Sequence, residues 1–264
     1  ALQVNTTGGF NTAVGTGSST ENTTASNNTA FGGEAMKKTT TASSNTAVGT
    51  SALACNTTGA TNVALGMQAL KANTTGEHNT AVGHNSLLAN LTANQNVAVG
   101  NYTLDASTAG PNTAVGYCAL SNVTGGAGNV AIGDLAGAQA AMINVTSENN
   151  RAVFGNTSVT NAYVKVAFTV TSDARDKTNF GTVPHGLDFV NKLEPVSFKF
   201  KKSRDNDTPH GDMRYGFKAQ DIMALEGDNP VIIDNEFEDA LKYKGEHLVP
   251  VLVNAIKELT KRIK

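Results

Sequence analysis

Tryptophan is absent from this chain, cysteine occurs twice, proline six times, and aromatic residues make up 6% of the sequence. Large rings are therefore scarce, and burial in the repeat segment must come mainly from alanine and aliphatic side chains. No apolar run approaches the roughly 18 residues of a membrane-spanning helix, so membrane insertion is not expected. The opening Ala1-Leu2-Gln3-Val4-Asn5 lacks the form of a signal peptide, and it reads as the start of a fragment taken from a longer protein. Cys55 and Cys118 lie six and two residues after their nearest repeat glycines. That offset excludes a ladder of disulfides and leaves two free, buried thiols as the expectation.

Charge is also missing, and unevenly so. Residues 1–150 carry three lysines, no arginine and six acidic residues, whereas residues 151–264 carry 17 basic and 16 acidic residues. The chain divides near residue 150 into an almost uncharged Thr/Asn/Ala/Gly segment and an ordinary charged module. With a net charge of −2, no basic excess exists to neutralise phosphates, so nucleic acid is not an expected partner.

What the first segment does have is a repeat. Asn11, Asn28, Asn45, Asn62, Asn79, Asn96, Asn112 and Asn129 follow one another in steps of 17, 17, 17, 17, 17, 16 and 17 residues. Each opens the phrase Asn-(Thr/Val)-Ala-apolar-Gly, ending at Gly15, Gly32, Gly49, Gly66, Gly83, Gly100, Gly116 and Gly133. A second apolar site falls four residues past most of these glycines, at Met36, Leu53, Leu70, Leu87, Leu104 and Leu120. Polar spacers such as Asn56-Thr57-Thr58-Gly59 separate the phrases. A short apolar run reads as a strand, the glycine as a corner and the spacer as a turn. One repeat cannot bury its own face, so neighbours must stack.

Stacking in a parallel ladder sets each Asn, Ala and Gly over its equivalent, at about 4.8 Å per coil. The expected fold is a parallel β-roll or β-helix of 17-residue coils over 1–150, with asparagine side chains laddered at a turn. Recurrent glycine and β-branched residues argue against a helical repeat. Small inward residues make each coil thin, which predicts that several chains wrap around a common axis and bury a second face. These repeats resemble the head repeats of trimeric adhesins and arrays in bacteriophage fibres. The resemblance implies a surface-displayed spacer or receptor-binding stem, and it singles out no repeat residue as a ligand contact.

Residues 151–171 read as a transition. Asn150-Arg151-Ala152-Val153-Phe154-Gly155 is a degraded ninth echo, and the strand-like run 163–170 is expected to leave or cap the array. Then comes Ser172-Asp173-Ala174-Arg175-Asp176-Lys177. Taken alone, this is a helix N-cap at Ser172 or Asp173 with a solvated charge run behind it.

Further phrases follow: Leu193-Glu194-Pro195-Val196-Ser197-Phe198, Gly216-Phe217-Lys218-Ala219-Gln220, and a closing Leu252-Val253-Asn254-Ala255-Ile256-Lys257-Glu258-Leu259. With the Ser-Asp-x-Arg-x-Lys opening, they resemble the C-terminal intramolecular chaperone domain of phage endosialidases, tailspikes and L-shaped tail fibres, a self-cleaving peptidase family. The resemblance covers roughly 171–264. It implies cleavage of the Thr171–Ser172 bond in cis and in a single turnover, with Ser172 as nucleophile and Lys177 as base. An ordinary lysine is protonated at neutral pH, so the base needs desolvation or a neighbouring cation. Arg175 is the candidate for that cation or for holding the oxyanion.

The rest of the module is expected to be α+β. A short helix at 186–193, a strand at 196–200, a polar loop at 201–212, a return to the core at Tyr215–Phe217, a helix at 218–226, a strand at 230–233 and an acidic loop at 234–240 are expected in turn. His185, His210 and His247 lack partners at ligand spacing, so neither a metal nor another cofactor is expected. Val249, Leu252, Ile256, Leu259 and Ile263 step by 3, 4, 3 and 4 residues, an a/d stripe of about two heptads. A single amphipathic helix packed on its own domain has the same pattern. With the resemblance, the stripe implies a trimeric coiled-coil helix.

The resulting expectation is a homotrimeric phage tail fibre or tailspike fragment in the virion. It has a stem at 1–150, a transition at 151–171 and a chaperone with autoprotease activity at 172–264. Its partners would be copies of itself and a host cell-surface receptor of glycan type. The rival is a cell-surface adhesin with a retained, uncut assembly domain. Glycan hydrolysis is disfavoured, because Glu21, Glu34, Glu77, Asp105 and Asp134 are scattered over different coils.

Overall fold

The computed structural model describes every residue except 140–142, 160–161, 166–171, 237–239 and 264. The chain forms two compact units, Ala1–Ser158 and Val159–Lys264.

The first unit is a parallel β-solenoid. Strands β1 (Thr12–Val14), β2 (Thr29–Phe31), β3 (Thr46–Val48), β4 (Val63–Leu65), β5 (Thr80–Val82), β6 (Val97–Val99), β7 (Thr113–Val115) and β8 (Val130–Ile132) follow in order. A two-stranded hairpin, β9 (Ala138–Gln139) with β10 (Ile143–Asn144), interrupts before β11 (Ala152–Phe154) closes the nine-stranded sheet. Register is strict: Ala30 pairs with Ala47, Ala64 with Ala81 and Ala98 with Ala114. The one 16-residue step therefore leaves the strands in phase and is absorbed in the turn before Asn112.

The central alanine of each strand points inward, and from Ala30 to Ala131 it is fully buried. It meets the buried row Met36, Leu53, Leu70, Leu87, Leu104 and Leu120. These six side chains all sit on left-handed backbone, with φ between 50° and 53°. That conformation costs a branched or bulky residue free energy, and here each such residue is covered by its neighbours in the stack. At the corners glycine is required: a Cβ on Gly32, whose φ is +143°, would stand 2.5 Å from the Gly49 carbonyl oxygen of the next coil.

The asparagines form the ladder. Each Oδ1 accepts the backbone N–H of the next coil's equivalent, from Asn28 N to Asn11 at 3.0 Å through to Arg151 N to Asn129 at 2.9 Å. The Nδ2 groups donate to turn carbonyls, as Asn62 does to Gly76 at 2.8 Å. A second ladder runs amide to amide through Asn56, Asn73 and Asn90. Most buried asparagine groups are thus partnered coil by coil, whereas Asn90 Oδ1, at the end of the second ladder, has no partner among the described residues. The ninth rung corrects the expected phase by one residue. Val130 pairs with Ala152, so Arg151, and not Asn150, occupies the asparagine place. Asn150, at φ 58°, instead takes the left-handed place that Asn27, Ser44, Thr61, His78 and Gln95 hold before earlier rungs, with φ between 58° and 62°.

The outer face of the sheet remains apolar. Val14, Phe31, Leu65, Val99, Val115, Ile132 and Phe154 form an exposed column, Phe31 at 56% and Phe154 at 65%. Cys55 and Cys118 are free, and they are half-buried instead of buried.

The second unit is α+β: α1 (Leu187–Val190), β12 (Val196–Ser203), β13 (Asn206–Gly216), α2 (Ala219–Glu226), β14 (Ile233–Asp234), β15 (Lys242–Tyr243) and α3 (Leu248–Ile263). Its core joins Phe189, Ile222, Ile232, Ile233, Leu248 and Val251. The expected polar loop at 201–212 is instead most of a hairpin, β12 pairing antiparallel with β13 through a turn at Arg204–Asp205. Its residues are largely exposed, so backbone pairing forms without the apolar alternation that announces a strand. Tyr215 points to solvent, and only Phe217 of its phrase packs on the core. Of the strand expected over 163–170, residues 163–165 carry no regular structure and 166–170 lie outside the described residues. Part of the expected acidic loop, 237–239, also lies outside them.

Candidate active site

Ser172 and Lys177 are brought together by one turn. Asp173 caps a short 3-10 helix over Ala174–Asp176, its carboxylate accepting the Arg175 N–H at 2.9 Å. The Lys177 N–H closes the turn on the Ala174 carbonyl at 3.2 Å. This reversal folds the lysine side chain back across five positions. Lys177 Nζ stands 2.6 Å from Ser172 Oγ and 3.3 Å from the Ser172 carbonyl oxygen. A general base must lie within about 2.6–3.2 Å of the proton it removes, and this pair meets that distance. Both residues are exposed. Thr171, the residue before the serine, lies outside the described residues.

Arg175 faces the other way. Its Nη2 donates to Asp173 Oδ2 at 2.6 Å and its Nε reaches both carboxylate oxygens at 3.1 Å. The guanidinium holds the Asp173 carboxyl below the usual aspartate range, and the carboxylate raises the guanidinium in return. The expected cap thus falls to Asp173, and Arg175 braces it.

Helix α3 presents three faces. Leu248, Val251 and Ala255 are buried against the unit's own core. Asn254 Nδ2 donates to the Val183 and His185 carbonyls, each at 3.3 Å, Glu258 Oε2 accepts the Leu187 N–H at 2.8 Å, and Arg262 lies 3.7 Å from Asp188. The third face holds Val249, Leu252, Ile256, Leu259 and Ile263, all exposed, Ile256 at 63% and Ile263 at 78%. The a/d stripe therefore does not pack the helix on its own domain; a different set of residues does so. Asn254, Glu258 and Arg262 were not singled out from the sequence. Their i, i+4, i+8 spacing is the signal that marks a polar face on the same helix.

One comparison covers the turn and the serine–lysine contact. Residues 172–230 match the family described as chaperone of endosialidase. No curated protein and no solved structure matches the chain. The match begins on Ser172 itself and ends before α3, so the closing phrase that carries the apolar stripe stands outside it. Residues 172–230 of the second unit match a chaperone of endosialidase, and a β-solenoid precedes them in the chain; both features fit a phage tail fibre or tailspike type of protein. The matched family is one of self-cleaving intramolecular chaperones.

Proposed function

We propose that the chain is part of a homotrimeric phage tail fibre or tailspike. The solenoid forms a stem displayed to the host surface, and the chaperone module aligns three copies before cutting itself away at Thr171–Ser172. The observation that carries the catalytic part is the 2.6 Å separation of Lys177 Nζ and Ser172 Oγ. Lys177 Nζ takes the hydroxyl proton as Ser172 Oγ attacks the Thr171 carbonyl carbon. An ester to Oγ forms, the Thr171–Ser172 amide bond breaks, and the proton passes to the new Ser172 amine. Water then hydrolyses the ester, leaving a Thr171 carboxylate and restoring the hydroxyl. Because nucleophile and bond belong to one chain, effective molarity supplies much of the rate.

Trimerisation is supported by two apolar surfaces left exposed among the described residues, the α3 stripe and the outer column of the solenoid. A two-heptad stripe is too short to hold chains together unaided. A chaperone is needed because near-identical coils could pair one repeat out of step at little cost. Fixing the offset at the C-terminus first and removing the guide afterwards leaves a stem whose persistence is kinetic. A cell-surface adhesin with a retained domain would keep the same helix and leave the bond whole. N-terminal sequencing of the smaller piece after assembly separates the two: the fibre reading requires Ser-Asp-Ala-Arg, and an adhesin yields no such piece.

A further inference from the structure

The solenoid changes chemistry along one row, the residue that follows each corner glycine. The first coils place Thr16, Gly33 and Thr50 there, and the later ones Met67, His84, Asn101, Tyr117 and Asp134. Only five Phe or Tyr residues occur in 1–158, and two of them, Tyr102 and Tyr117, meet at this row. The His84 and Tyr102 rings pack edge to face with centroids 5.0 Å apart at 83°, and Tyr102 and Tyr117 do so at 6.2 Å and 80°. Tyr117 is 53% exposed.

Polar groups frame the rings. Asn101 Oδ1 is committed to the His84 N–H at 2.9 Å, so its Nδ2 remains as a donor with no partner among the described residues. Asp134 accepts from Asn156 Nδ2 at 3.1 Å, which fixes one carboxylate oxygen and leaves the other at the rim. Contact with the Cys118 thiol, aided by Tyr102 and Asp134, raises the Tyr117 hydroxyl above the usual tyrosine value, so it stays a neutral donor.

We propose that His84, Asn101, Tyr102, Tyr117 and Asp134 form a carbohydrate-binding site for a neutral hexose-based saccharide. An exposed aromatic ring offers a flat apolar surface with a polar tip, which suits the C–H face of a sugar ring. Amide donor, phenol and carboxylate are the few placed polar groups that orient a ligand on such a surface. Asp134 puts an acidic side chain beside Tyr117, which sets the site against sialylated and other acidic sugars. The site gives a chemical class to the host-surface partner, and it rests on the proposal that the solenoid is the displayed stem.

The test is binding of the assembled protein to a panel of immobilised neutral and sialylated oligosaccharides, followed by titration calorimetry with the best neutral binder. Tyr117→Ala should weaken binding roughly tenfold or more, the loss of one aromatic anchor, whereas Tyr117→Phe should stay within about threefold because the ring remains. Light scattering should give both variants the mass of the wild type. Three results overturn the site: no neutral saccharide binds the wild type, sialylated glycans bind best, or Tyr117→Ala binds as the wild type does. A fourth is a fall in oligomeric mass in Tyr117→Ala, which would make the cluster a contact between copies. Self-cleavage, read on the same preparations, reports on the fibre proposal independently of each of these.

Discussion

Glu258 Oε2 accepts the backbone N–H of Leu187 at 2.8 Å, joining the third turn of α3 to the first residue of α1 across 71 positions. Asn254 and Arg262 extend the grip to Val183, His185 and Asp188. The helix that bears the apolar stripe therefore also holds the segment that follows the Ser172–Lys177 turn. On the proposed assembly, covering the exposed face of α3 would bear on order in that segment.

Glu258→Ala should weaken this link without touching the stripe or the core. An N-terminal helix N–H loses its acceptor, a change worth about 1 kcal/mol. The chaperone module should melt a few degrees lower and cleave more slowly, and the trimer should survive. Thermal unfolding of the uncut module and a cleavage time course measure both effects. An unchanged cleavage rate would remove α3 from any part in presenting the serine.

Ile256→Asp tests the stripe. Ile256 is exposed in the single chain, so a charge there costs the isolated module nothing and matters only if a partner covers it. The variant should lose the trimer and leave the solenoid aggregated or out of register. Light scattering and solubility read this directly. A regular oligomer in normal yield would count against the chaperone role.

Asn112→Ala tests the ladder. The change removes the acceptor of the Asn129 N–H at 3.0 Å and the donor to the Gly126 carbonyl at 2.8 Å. Leaving buried polar groups without partners should cost on the order of 3 kcal/mol. Thr124→Ala, which loses an exposed 3.4 Å contact, should cost little. Equal urea midpoints for the two variants would show that the ladder does not hold the coils.

Asp105 supplies a pH dependence. Burial raises its carboxyl above 3.8, outweighing hydrogen bonds from its own and the Ala106 backbone. A raised folded value means the group favours the folded state at low pH, and that contribution is lost as pH rises from the unfolded value through the folded one. Asp105→Asn should therefore raise the solenoid's unfolding temperature at pH 7 and make no difference near pH 3. A variant less stable than the wild type at pH 7 would reverse the assigned sign.

Much of the solenoid was legible because its period makes each residue answer the same question eight times. Alanine inside, glycine at the corner and asparagine in a ladder all follow from stacking like on like. The left-handed conformation of Met36 and Leu53 did not follow, since apolar side chains normally avoid it and only the completed stack enforces it. Arg151 was misphased because Asn150 copies the asparagine but serves as the positive-φ residue before it. In the second unit, the strand at 206–216 escaped because its pairing is through backbone groups and its side chains are largely exposed. The Ser172–Lys177 pairing came from resemblance, and spacing alone favoured a cap. The turn supplies both, with Asp173 as the cap and Lys177 folded onto the serine.

The central claim is that this turn cuts its own chain, and the mass of the intact protein after assembly tests it most directly. The wild type should resolve into residues 1–171 and 172–264, while Ser172→Ala remains a full-length trimer. Lys177→Ala should also stay whole apart from a trace, since losing a general base slows such a step by about 10²–10⁴. A wild-type trimer that keeps its full mass, or a Ser172→Ala chain that still divides at the wild-type rate, would contradict the account.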